Sequence, residues 1–377
     1  MKIIYYTDQI YLHGGLERVL ANKLNYFSNN TDFELHVITF QQKNNPPCYT
    51  LPKNVQLHDL DIDYNRTISF LNPLNLKLSL QHYLRLKRKI KFIQPDIIVI
   101  CNYEFGFYFI PLIAKNVIKI KEFHSSKHFS YIEQSKNRNI LKTIKYKLAD
   151  YFESKYDYLV LLTTDELKYY KGKNKLVIPN AITKTNSNGA NLINKKAISA
   201  GRIAPVKGFE YLINSWKHVV DECPDWTLNI YGEGEEDYVK KLQNQINSLN
   251  LGNHVFLNGS TNDLESKMLD SSIYAMTSLT ECFPMVLLEA MSCGLPIVSF
   301  DSPNGPRNII TNNEDGVIVE YLNEKLLAVE MINLIKDIDK RKIMGQNGRN
   351  NILKFSELNV MSKWLELFNS RLYNKKT

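Results

Sequence analysis

The sequence lacks the marks of several protein classes. It has five cysteines, an odd number, and no two of them have C-x2-C spacing. Disulfide frameworks and zinc sites need paired cysteines, so we expect neither and favour a reducing compartment. No run of about 18 apolar residues occurs, which argues against a transmembrane helix. The N-terminal KIIYYTD is typical of a strand and has no signal-peptide organisation. Together these absences predict a cytoplasmic protein.

Acidic charge is scarce in the first half of the chain. Residues 1–182 contain 26 Lys and Arg against 16 Asp and Glu, a net charge of +10, whereas the remainder carries −2. Basic residues cluster at 85–91 (RLKRKIK) and between Lys136 and Lys147. Such clusters are either solvated helix faces or a surface that faces anionic lipid or an anionic substrate. No recognisable nucleic-acid motif accompanies them, so we expect no nucleic-acid partner.

Short apolar, β-branched runs recur along the chain, separated by helix-length segments. Such runs fit strands buried on both faces of a parallel sheet, and their alternation with helices fits βαβ units. Two sets of about six runs predict two doubly wound α/β domains. The runs span residues 2–7, 34–40, 96–101, 117–123, 158–163 and 175–179, then 197–201, 227–232, 254–259, 273–278, 296–301 and 316–320.

A polar stretch separates the two sets. Residues 181–196 are rich in Asn, Ser and Thr, as a linker or long loop is. We therefore predict an N-terminal domain at 1–182 and a C-terminal domain at 183–355. Residues 356–377 contain an amphipathic segment with apolar side chains at helical spacing. It predicts a final helix that packs back on the N-terminal domain.

Candidate site residues follow the predicted strands, because such sheets place ligands at the carboxyl ends of their strands. Arg202 and Lys207 follow one run, and two cations there can converge on a diphosphate. Gly14 and Gly15 open a helix whose N–H groups can bind an anion. The alternative is an ordinary turn in which Glu17 favours the first helical turn.

Two other strand ends carry weaker signals. His124 is either a ligand-binding or proton-transfer residue or an ordinary loop histidine. Gly232 begins the string G-E-G-E-E, which lacks the last glycine of G-x-G-x-x-G, so an NAD dehydrogenase is disfavoured.

Asp59, Asp61 and Asp63 form a superficial D-x-D motif, which we interpret as an acidic loop without a metal.

The stretch TECFPMVLLEAM (280–291) places two glutamates around an apolar segment. Pro284 suits the first turn of a helix, so the N–H groups of residues 284–287 can form a second anion site. Glu281 precedes this helix and Glu289 lies about 1.5 turns inside it. Both carboxylates can then face one cleft, where they would accept hydrogen bonds from sugar hydroxyls.

These strings together resemble the retaining glycosyltransferases of family 4, which have the GT-B fold. The motifs are G-R-x4-K-G at 201–208, the E-C-F-P-M-V-L-L-E-A-M stretch, HGGLERV, VIPNAI and DSPNGPRNII. The resemblance covers essentially the whole chain and is strongest over 197–320. It implies two Rossmann-like domains that face each other across a cleft, with a nucleotide-sugar donor held mainly by the C-terminal domain.

The resemblance also implies a role for each candidate. Arg202 and Lys207 match the cations that neutralise the donor diphosphate, Glu289 the ribose-binding glutamate, and Glu281 the glutamate near the donor sugar. Cys282 departs from the pattern, since many relatives carry glycine there. The other candidates are His124 near the transferred sugar, Gly14 and Gly15 over the phosphates, Phe283, Pro284, Met285 and Val286 as backbone contacts, Gly232 in the donor site, and Asn180 in the hinge motif.

The expected activity follows from this resemblance. It is transfer of a hexose or N-acetylhexosamine, with retention and without metal or cofactor, from a nucleotide-sugar (UDP favoured) to a glycan or lipid-linked glycan. We expect this reaction in cell-surface polysaccharide biosynthesis, at the inner face of the cytoplasmic membrane. Tyr103, Phe105, Phe107, Tyr108 and Phe109 are candidates for contact with a lipid-linked acceptor. A GT-B nucleotide-sugar epimerase and a non-catalytic sugar-nucleotide binding protein are the alternatives.

Overall fold

A computed structural model of the protein describes residues 1–69, 72–128, 130–132, 140–183 and 188–374. The chain forms two units. The N-terminal unit comprises Met1–Pro179 and Val360–Thr377, and the C-terminal unit comprises Asn180–Asn359. The division after Pro179 lies three residues before the predicted one.

A sheet of seven parallel strands forms the centre of the N-terminal unit. Its strands are β1 (Lys2–Tyr6), β2 (Glu34–Thr39), β3 (Gln56–Asp59), β4 (Ile97–Ile100), β5 (Ile118–Glu122), β6 (Tyr158–Leu161) and β7 (Lys175–Val177). Its described α-helices before the second unit are α1 (Gly15–Asn30), α2 (Pro73–Ile93), α3 (Phe105–Ile113) and α4 (Ile140–Glu153). The strand order β3-β2-β1-β4-β5-β6-β7 reverses between β1 and β4.

The C-terminal unit contains a six-stranded parallel sheet in a similar arrangement. Its strands are β8 (Lys196–Ala200), β9 (Thr227–Tyr231), β10 (Val255–Leu257), β11 (Ile273–Met276), β12 (Ile297–Phe300) and β13 (Gly316–Val319). Its α-helices are α5 (Phe209–Glu222), α6 (Glu236–Ser248), α7 (Leu264–Leu269), α8 (Met285–Ser292), α9 (Glu324–Lys336) and α10 (Ile338–Asn351). The order β10-β9-β8-β11-β12-β13 reverses between β8 and β11.

The predicted fold class is confirmed: each unit is a doubly wound parallel sheet of the Rossmann type. All twelve predicted runs are strands. The central ones are buried on both faces, as the fully buried IIVI of β4 shows. The thirteenth, β3, was not predicted. It is an edge strand with the sequence QLHD, and most of its side chains are exposed, so it has no apolar run.

The last helix, α11 (Glu357–Asn374), packs on the N-terminal unit from Val360 onward. Its Trp364 and Phe368 are fully buried. The Phe368 ring lies 5.6 Å from that of Phe27 in α1 and 6.2 Å from that of Phe33. The predicted helix and its packing on the N-terminal unit are confirmed, whereas its contacts with Phe27 and Phe33 were not predicted.

The aromatic cluster after β4 is largely core. Phe107 is fully buried, and Phe105, Tyr108 and Phe109 pack against the same apolar cluster. Only Tyr103 among these five residues is exposed. The interpretation of the cluster as an acceptor-facing surface was therefore wrong for Phe107, because this side chain lies in the core. For Tyr103 and the three partly buried residues, contact with an acceptor stays a prediction.

Only the first of the two basic clusters lies entirely within the described residues. Residues 85–91 lie on α2, and part of the second cluster, including Lys136, lies outside the described residues.

None of the helices in the described ranges is both long enough and apolar enough to cross a membrane.

A buried histidine makes the stability of the N-terminal unit depend on pH. His82 in α2 is fully buried; its Nε2 lies 2.7 Å from the hydroxyl of Tyr6, and its Nδ1 lies 3.0 Å from that of Tyr64. Burial lowers the pKa of His82 to about 3. The unfolded chain therefore binds a proton between pH ~6.5 and ~3 that the folded chain does not, and stability falls as the pH falls through this window.

We expect His82 to contribute about 2–3 kcal/mol to the loss of stability between pH 7 and pH 4.5. In urea titrations at the two pH values, His82→Gln should be less stable than the parent at pH 7, and this deficit should shrink by that amount at pH 4.5. His218→Gln, which changes an exposed histidine, is the control. A deficit that stays constant with pH would contradict the assignment.

Candidate active site

At the carboxyl end of the C-terminal sheet, Lys207 and Glu281 form an ion pair. One follows β8 and the other follows β11, the strands between which the order reverses. Nζ of Lys207 lies 2.6 Å from Oε1 of Glu281, and the side chains are 24% and 13% exposed. Two predicted site residues therefore meet where sheets of this kind bind ligands.

Two hydrogen bonds hold the loops that carry this pair. The N–H of Leu279 donates to the carbonyl of Val206 (2.8 Å), and Oγ1 of Thr277 donates to the carbonyl of Lys207 (3.3 Å). Both bonds join the segment after β8 to the segment after β11. The spacing of the two charged residues is therefore fixed by the protein itself.

Arg202 lies at the same strand end, five residues before Lys207. Its side chain is exposed, and within the described ranges no hydrogen-bond or ion-pair partner contacts it. Unlike Lys207, it is a cation without a nearby carboxylate. An anion at this strand end would meet one paired and one unpaired cation.

Helix α8 begins one residue later than predicted. Pro284 is its N-cap, with φ −71° and ψ 99°, and Met285 is the first helical residue. Proline has no N–H, and the N–H of Leu287 donates to the carbonyl of Pro284 (3.0 Å). This corrects the predicted four-residue anion site. Among the described residues, the N–H groups of Met285 and Val286 have no acceptor and are the donors that this helix end offers.

The two glutamates of the stretch share a buried neighbour. The Tyr274 hydroxyl accepts a hydrogen bond from the Ala200 N–H (3.2 Å) and donates one to the Ala200 carbonyl (3.1 Å). Burial raises the pKa of Tyr274 well above its usual value, and the negative charges of Glu289 and Glu281 raise it further. Both carboxylates therefore lie within electrostatic reach of the end of β8.

The apolar residues between the glutamates support the loop. Phe283 is buried, with its ring edge-on to that of Phe355 at 5.4 Å. Cys282 is buried as well and has a negative φ, a conformation that any side chain can adopt. The cysteine therefore requires no change in the backbone of the loop.

Gly232 has a structural reason to be glycine. Its φ is +152°, and a Cβ at this position would lie 1.9 Å from the carbonyl oxygen of Gly201. The close approach joins the loop after β9 to the loop after β8, next to Arg202. Packing alone accounts for the glycine, and its contact with a donor stays a prediction.

Gly305 lies close against Glu281. A Cβ added to Gly305 would lie 2.5 Å from the Cβ of Glu281. This glycine belongs to the loop after β12, which sequence reasoning recognised only as part of a motif. A side chain at this position would displace the glutamate or the loop.

The resemblance implies that Glu281 positions the donor sugar for transfer. We expect Gly305→Ala to lower the rate of this transfer about 10- to 100-fold, because displacement of a substrate-positioning group by about 1 Å has effects of this size. Initial rates at saturating donor would measure it. Gly252→Ala is the matched control, since a Cβ there meets no atom within 4 Å. Equal rates for the two variants would show that Glu281 does not depend on Gly305.

The predicted glycine turn of the N-terminal unit begins α1. Gly15 is the first helical residue and Gly14 the N-cap. Glu17 in the first turn accepts a hydrogen bond from Nε2 of Gln9 (2.6 Å), and burial raises the pKa of this carboxyl. The carboxylate lies where an anion would bind, in agreement with the ordinary-turn interpretation. The donor-binding role of both glycines stays a prediction.

His124 lies two residues beyond β5, beside a buried ion pair. Its Nε2 is 3.4 Å from Oε1 of Glu122, the last residue of the strand. The same Oε1 accepts a hydrogen bond from Nζ of Lys23, and the side chains of Lys23 and Glu122 are both 2% exposed. Cys101 completes a group whose ligand atoms lie within 4.8 Å of one another. The cation that the structure places at this group is the Lys23 ammonium.

The remaining candidates are not part of these clusters. Asn180 is 5% exposed, and its Oδ1 has no hydrogen-bond partner among the described residues. The three aspartates of the D-x-D string contact different groups; Asp59 ends β3, and Asp61 and Asp63 lie in the loop that follows. Their partners are Thr39 for Asp59 (3.1 Å), Arg85 for Asp61 (3.8 Å) and Gln41 for Asp63 (2.5 Å).

Sequence reasoning missed Lys23, Glu122, Tyr274 and Gly305. Lys23 was detectable in principle, because it occupies the buried face of α1 together with Leu20, Leu24 and Phe27. Glu122 closes an apolar strand run in the same way. A charge within an apolar pattern needs a buried partner, but the sequence does not say which one.

Two Rossmann-like parallel sheets, with charged residues at a reversal of strand order, define a two-domain fold of the GT-B class. Residues 181–351 match the family described as glycosyl transferases group 1. The C-terminal unit therefore carries a domain of this group 1 glycosyl transferase family.

Individual proteins similar to this chain are also named as glycosyltransferases or have a similar fold. An uncharacterised glycosyltransferase of Haemophilus influenzae is 28% identical over 363 residues, which cover 92% of this chain and 96% of that protein. Poly(glycerol-phosphate) alpha-glucosyltransferase of Bacillus subtilis is 26% identical over 68% of this chain and 40% of that enzyme. A mutant of S. aureus TarM, in complex with fondaparinux, alpha-GlcNAc-glycerol and UDP, has a similar fold. Its TM-score is 0.76 at 18% identity, and the match covers 98% of this chain and 99% of that chain.

Proposed function

We propose that this protein is a retaining glycosyltransferase. It would move a hexose or N-acetylhexosamine from a UDP-sugar to a glycan or lipid-linked glycan, with α-linkage, in cell-surface polysaccharide biosynthesis. The observation that carries the proposal is the Lys207–Glu281 pair at the reversal of strand order in the C-terminal unit. It offers a cation for a diphosphate and a carboxylate for a sugar hydroxyl, with their charged atoms 2.6 Å apart.

The charges at this site fit the departure of a nucleoside diphosphate. As the bond from the anomeric carbon to the diphosphate oxygen breaks, negative charge grows on the leaving group. Arg202, Lys207 and the free N–H groups at the start of α8 stabilise that charge in place, which is the preorganised electrostatic effect. Asn180, Gly232 and the backbone at Phe283 belong to the proposed donor site.

The acceptor hydroxyl attacks the same face that the diphosphate leaves, through an oxocarbenium-like state. Its proton passes to the departing phosphate oxygen, so the products are an α-glycoside and UDP, and no separate base is needed. Glu281 orients the donor sugar, Glu289 accepts the ribose hydroxyls, and His124 contacts the transferred sugar. Gly14 and Gly15 close over the phosphates.

The names of two similar proteins support the proposed donor and acceptor. One of them is named an alpha-glucosyltransferase of poly(glycerol-phosphate), and the S. aureus structure contains UDP and alpha-GlcNAc-glycerol. These names support an α-linked product, a UDP donor and a surface-polymer acceptor for this chain as well.

A screen of UDP-, GDP- and ADP-sugars, with NMR detection of donor and product, tests the proposal. We expect turnover of a UDP-sugar and a product with the anomeric configuration of the donor. Full activity in excess chelator is expected, because the site supplies its own cations. Epimerisation of donor without acceptor would identify the epimerase alternative, and donor binding without any turnover would identify the non-catalytic one.

Contact with an anionic membrane is proposed for the outer face of α2. This face is opposite the buried one and combines basic residues of the 85–91 cluster with exposed apolar side chains. Leu74, Leu80 and Phe92 are 65%, 60% and 80% exposed. Such a combination favours an interface of anionic headgroups and acyl chains. Cosedimentation with phosphatidylglycerol vesicles at low salt, and its absence with phosphatidylcholine vesicles, is the expected result; no sedimentation with either would refute it.

A further inference from the structure

The buried Lys23–Glu122 ion pair is not explained by the fold alone. It joins α1 to the last residue of β5, and both side chains are 2% exposed. Removal of two charges from water is costly, and apolar residues of similar volume often stabilise such a position at least as well. A buried pair at the carboxyl end of a strand is therefore a candidate for a functional role.

Glu122 is held in its charged form by its neighbours. Burial opposes the charge, but attraction to Lys23 and then to His124 outweighs it and keeps the pKa of Glu122 well below its usual range. The carboxylate is thus a fixed negative charge 3.4 Å from Nε2 of His124. Nε2 is the ring nitrogen that faces this carboxylate, and a carboxylate beside a neutral histidine favours the tautomer that carries its proton on the facing nitrogen.

The C-terminal helix covers the cation of this pair. Nζ of Lys23 lies 4.0 Å from the centre of the Trp364 ring in α11. Trp364 is fully buried and packs against Phe368, with the ring centres 5.5 Å apart. The indole face attracts the ammonium and excludes water from it. Three elements that are distant in sequence therefore converge behind His124.

We propose that Glu122 is a positioning residue for His124 and that Lys23, held under Trp364, keeps the Glu122 carboxylate in place. This inference rests on the proposed function, in which His124 contacts the transferred sugar. Lys23 and Glu122 act through His124 and do not themselves touch substrate.

Four variants separate this role from a merely structural one. Lys23→Met and Glu122→Gln each leave one buried partner without its counterpart, and both should melt below the parent protein. The double variant K23M/E122Q removes both charges and should recover most of the melting temperature. Its transfer rate should nevertheless stay about 10- to 100-fold below that of the parent, with the donor KM unchanged. Lys119→Met is the control, because it removes another ion pair of β5 (Lys119 to Asp157, 3.1 Å) at the opposite end of the strand.

Coupling to His124 is the decisive readout. In a His124→Ala background, K23M/E122Q should change the rate by less than about twofold, since groups that act through one residue are not additive with its loss. An effect of equal size in both backgrounds, or a double variant with parental activity, overturns the inference.

¹⁵N NMR of protein labelled with ¹⁵N-histidine reports the tautomer of His124 and does not depend on activity. We expect the parent His124 to show the Nε2–H tautomer and the double variant to lose this preference. A tautomer that is unchanged in the double variant contradicts the inference even if the parent transfers sugar. A tautomer that changes in a protein with no transferase activity supports the positioning role and refutes the proposed function.

Discussion

Replacement of Lys207 by methionine is expected to slow sugar transfer about 10²–10³-fold, the usual effect of removing one preorganised donor from a site that stabilises developing charge. Methionine keeps much of the apolar stem of the side chain but removes the ammonium that lies 2.6 Å from Glu281. Affinity for UDP should fall as well, because in the proposed reaction Lys207 binds the diphosphate both before and after transfer. Initial rates and UDP titrations measure the two effects.

The partner of the lysine should respond differently. Glu281→Gln keeps the shape of the side chain but frees the Lys207 ammonium, so UDP affinity should be unchanged or higher while the transfer rate falls. Lys217→Met, which breaks an exposed pair with Asp221 in α5, is the control for loss of a lysine. Transfer by Lys207→Met within about tenfold of the parent, well short of the expected loss, would place the diphosphate elsewhere.

Replacement of Arg341 by methionine should destabilise the C-terminal unit by about 3 kcal/mol or more, since a buried carbonyl that loses its donor costs about 1–3 kcal/mol. Arg341 in α10 is 4% exposed. Its guanidinium donates to the carbonyls of Leu334 (2.5 Å), Ile335 (2.7 Å) and Leu192 (3.0 Å), and it lies 5.4 Å from the Trp226 ring. Removal of this one side chain leaves three carbonyls without their donor.

Thermal unfolding and hydrogen exchange of α10 peptides measure this loss. Lys342→Met is the matched control, because it removes the next basic side chain along the helix, which is exposed. We expect the control to melt with the parent. Equal melting temperatures for both variants would show that other donors, such as water, satisfy the three carbonyls.

The strand ends were predictable and the contacts between them were not. Lys207 and Glu281 each follow an apolar run, so their position at the carboxyl edge of a sheet followed from the pattern. Their ion pair joins residues 74 apart in sequence, and neither spacing nor residue type specifies it. It depends on β8 and β11 being neighbours in the sheet, which is a property of the whole topology.

The errors of the sequence analysis have similar physical origins. Pro284 favours a helix start, but its extended ψ decides whether it is the cap or the first residue, and no sequence pattern reports ψ. The polar stretch before β8 was predicted to be a linker or long loop, and its described part is a loop in which Leu192 is 3% exposed and accepts a hydrogen bond from Arg341. Polarity of a segment predicts a loop. It does not predict that one residue of the loop is buried and hydrogen-bonded to a helix of the C-terminal unit.

The position of α11 in the chain has a consequence for the order of folding during synthesis. The residues of the C-terminal unit leave the ribosome before Trp364 and Phe368 do, although the unit that these two complete begins at residue 1. In the nascent N-terminal unit, the Lys23–Glu122 pair therefore lacks its contact with Trp364 while some 180 further residues are synthesised. A ribosome-bound chain arrested before α11 emerges should have a protease-sensitive first unit and a resistant second one.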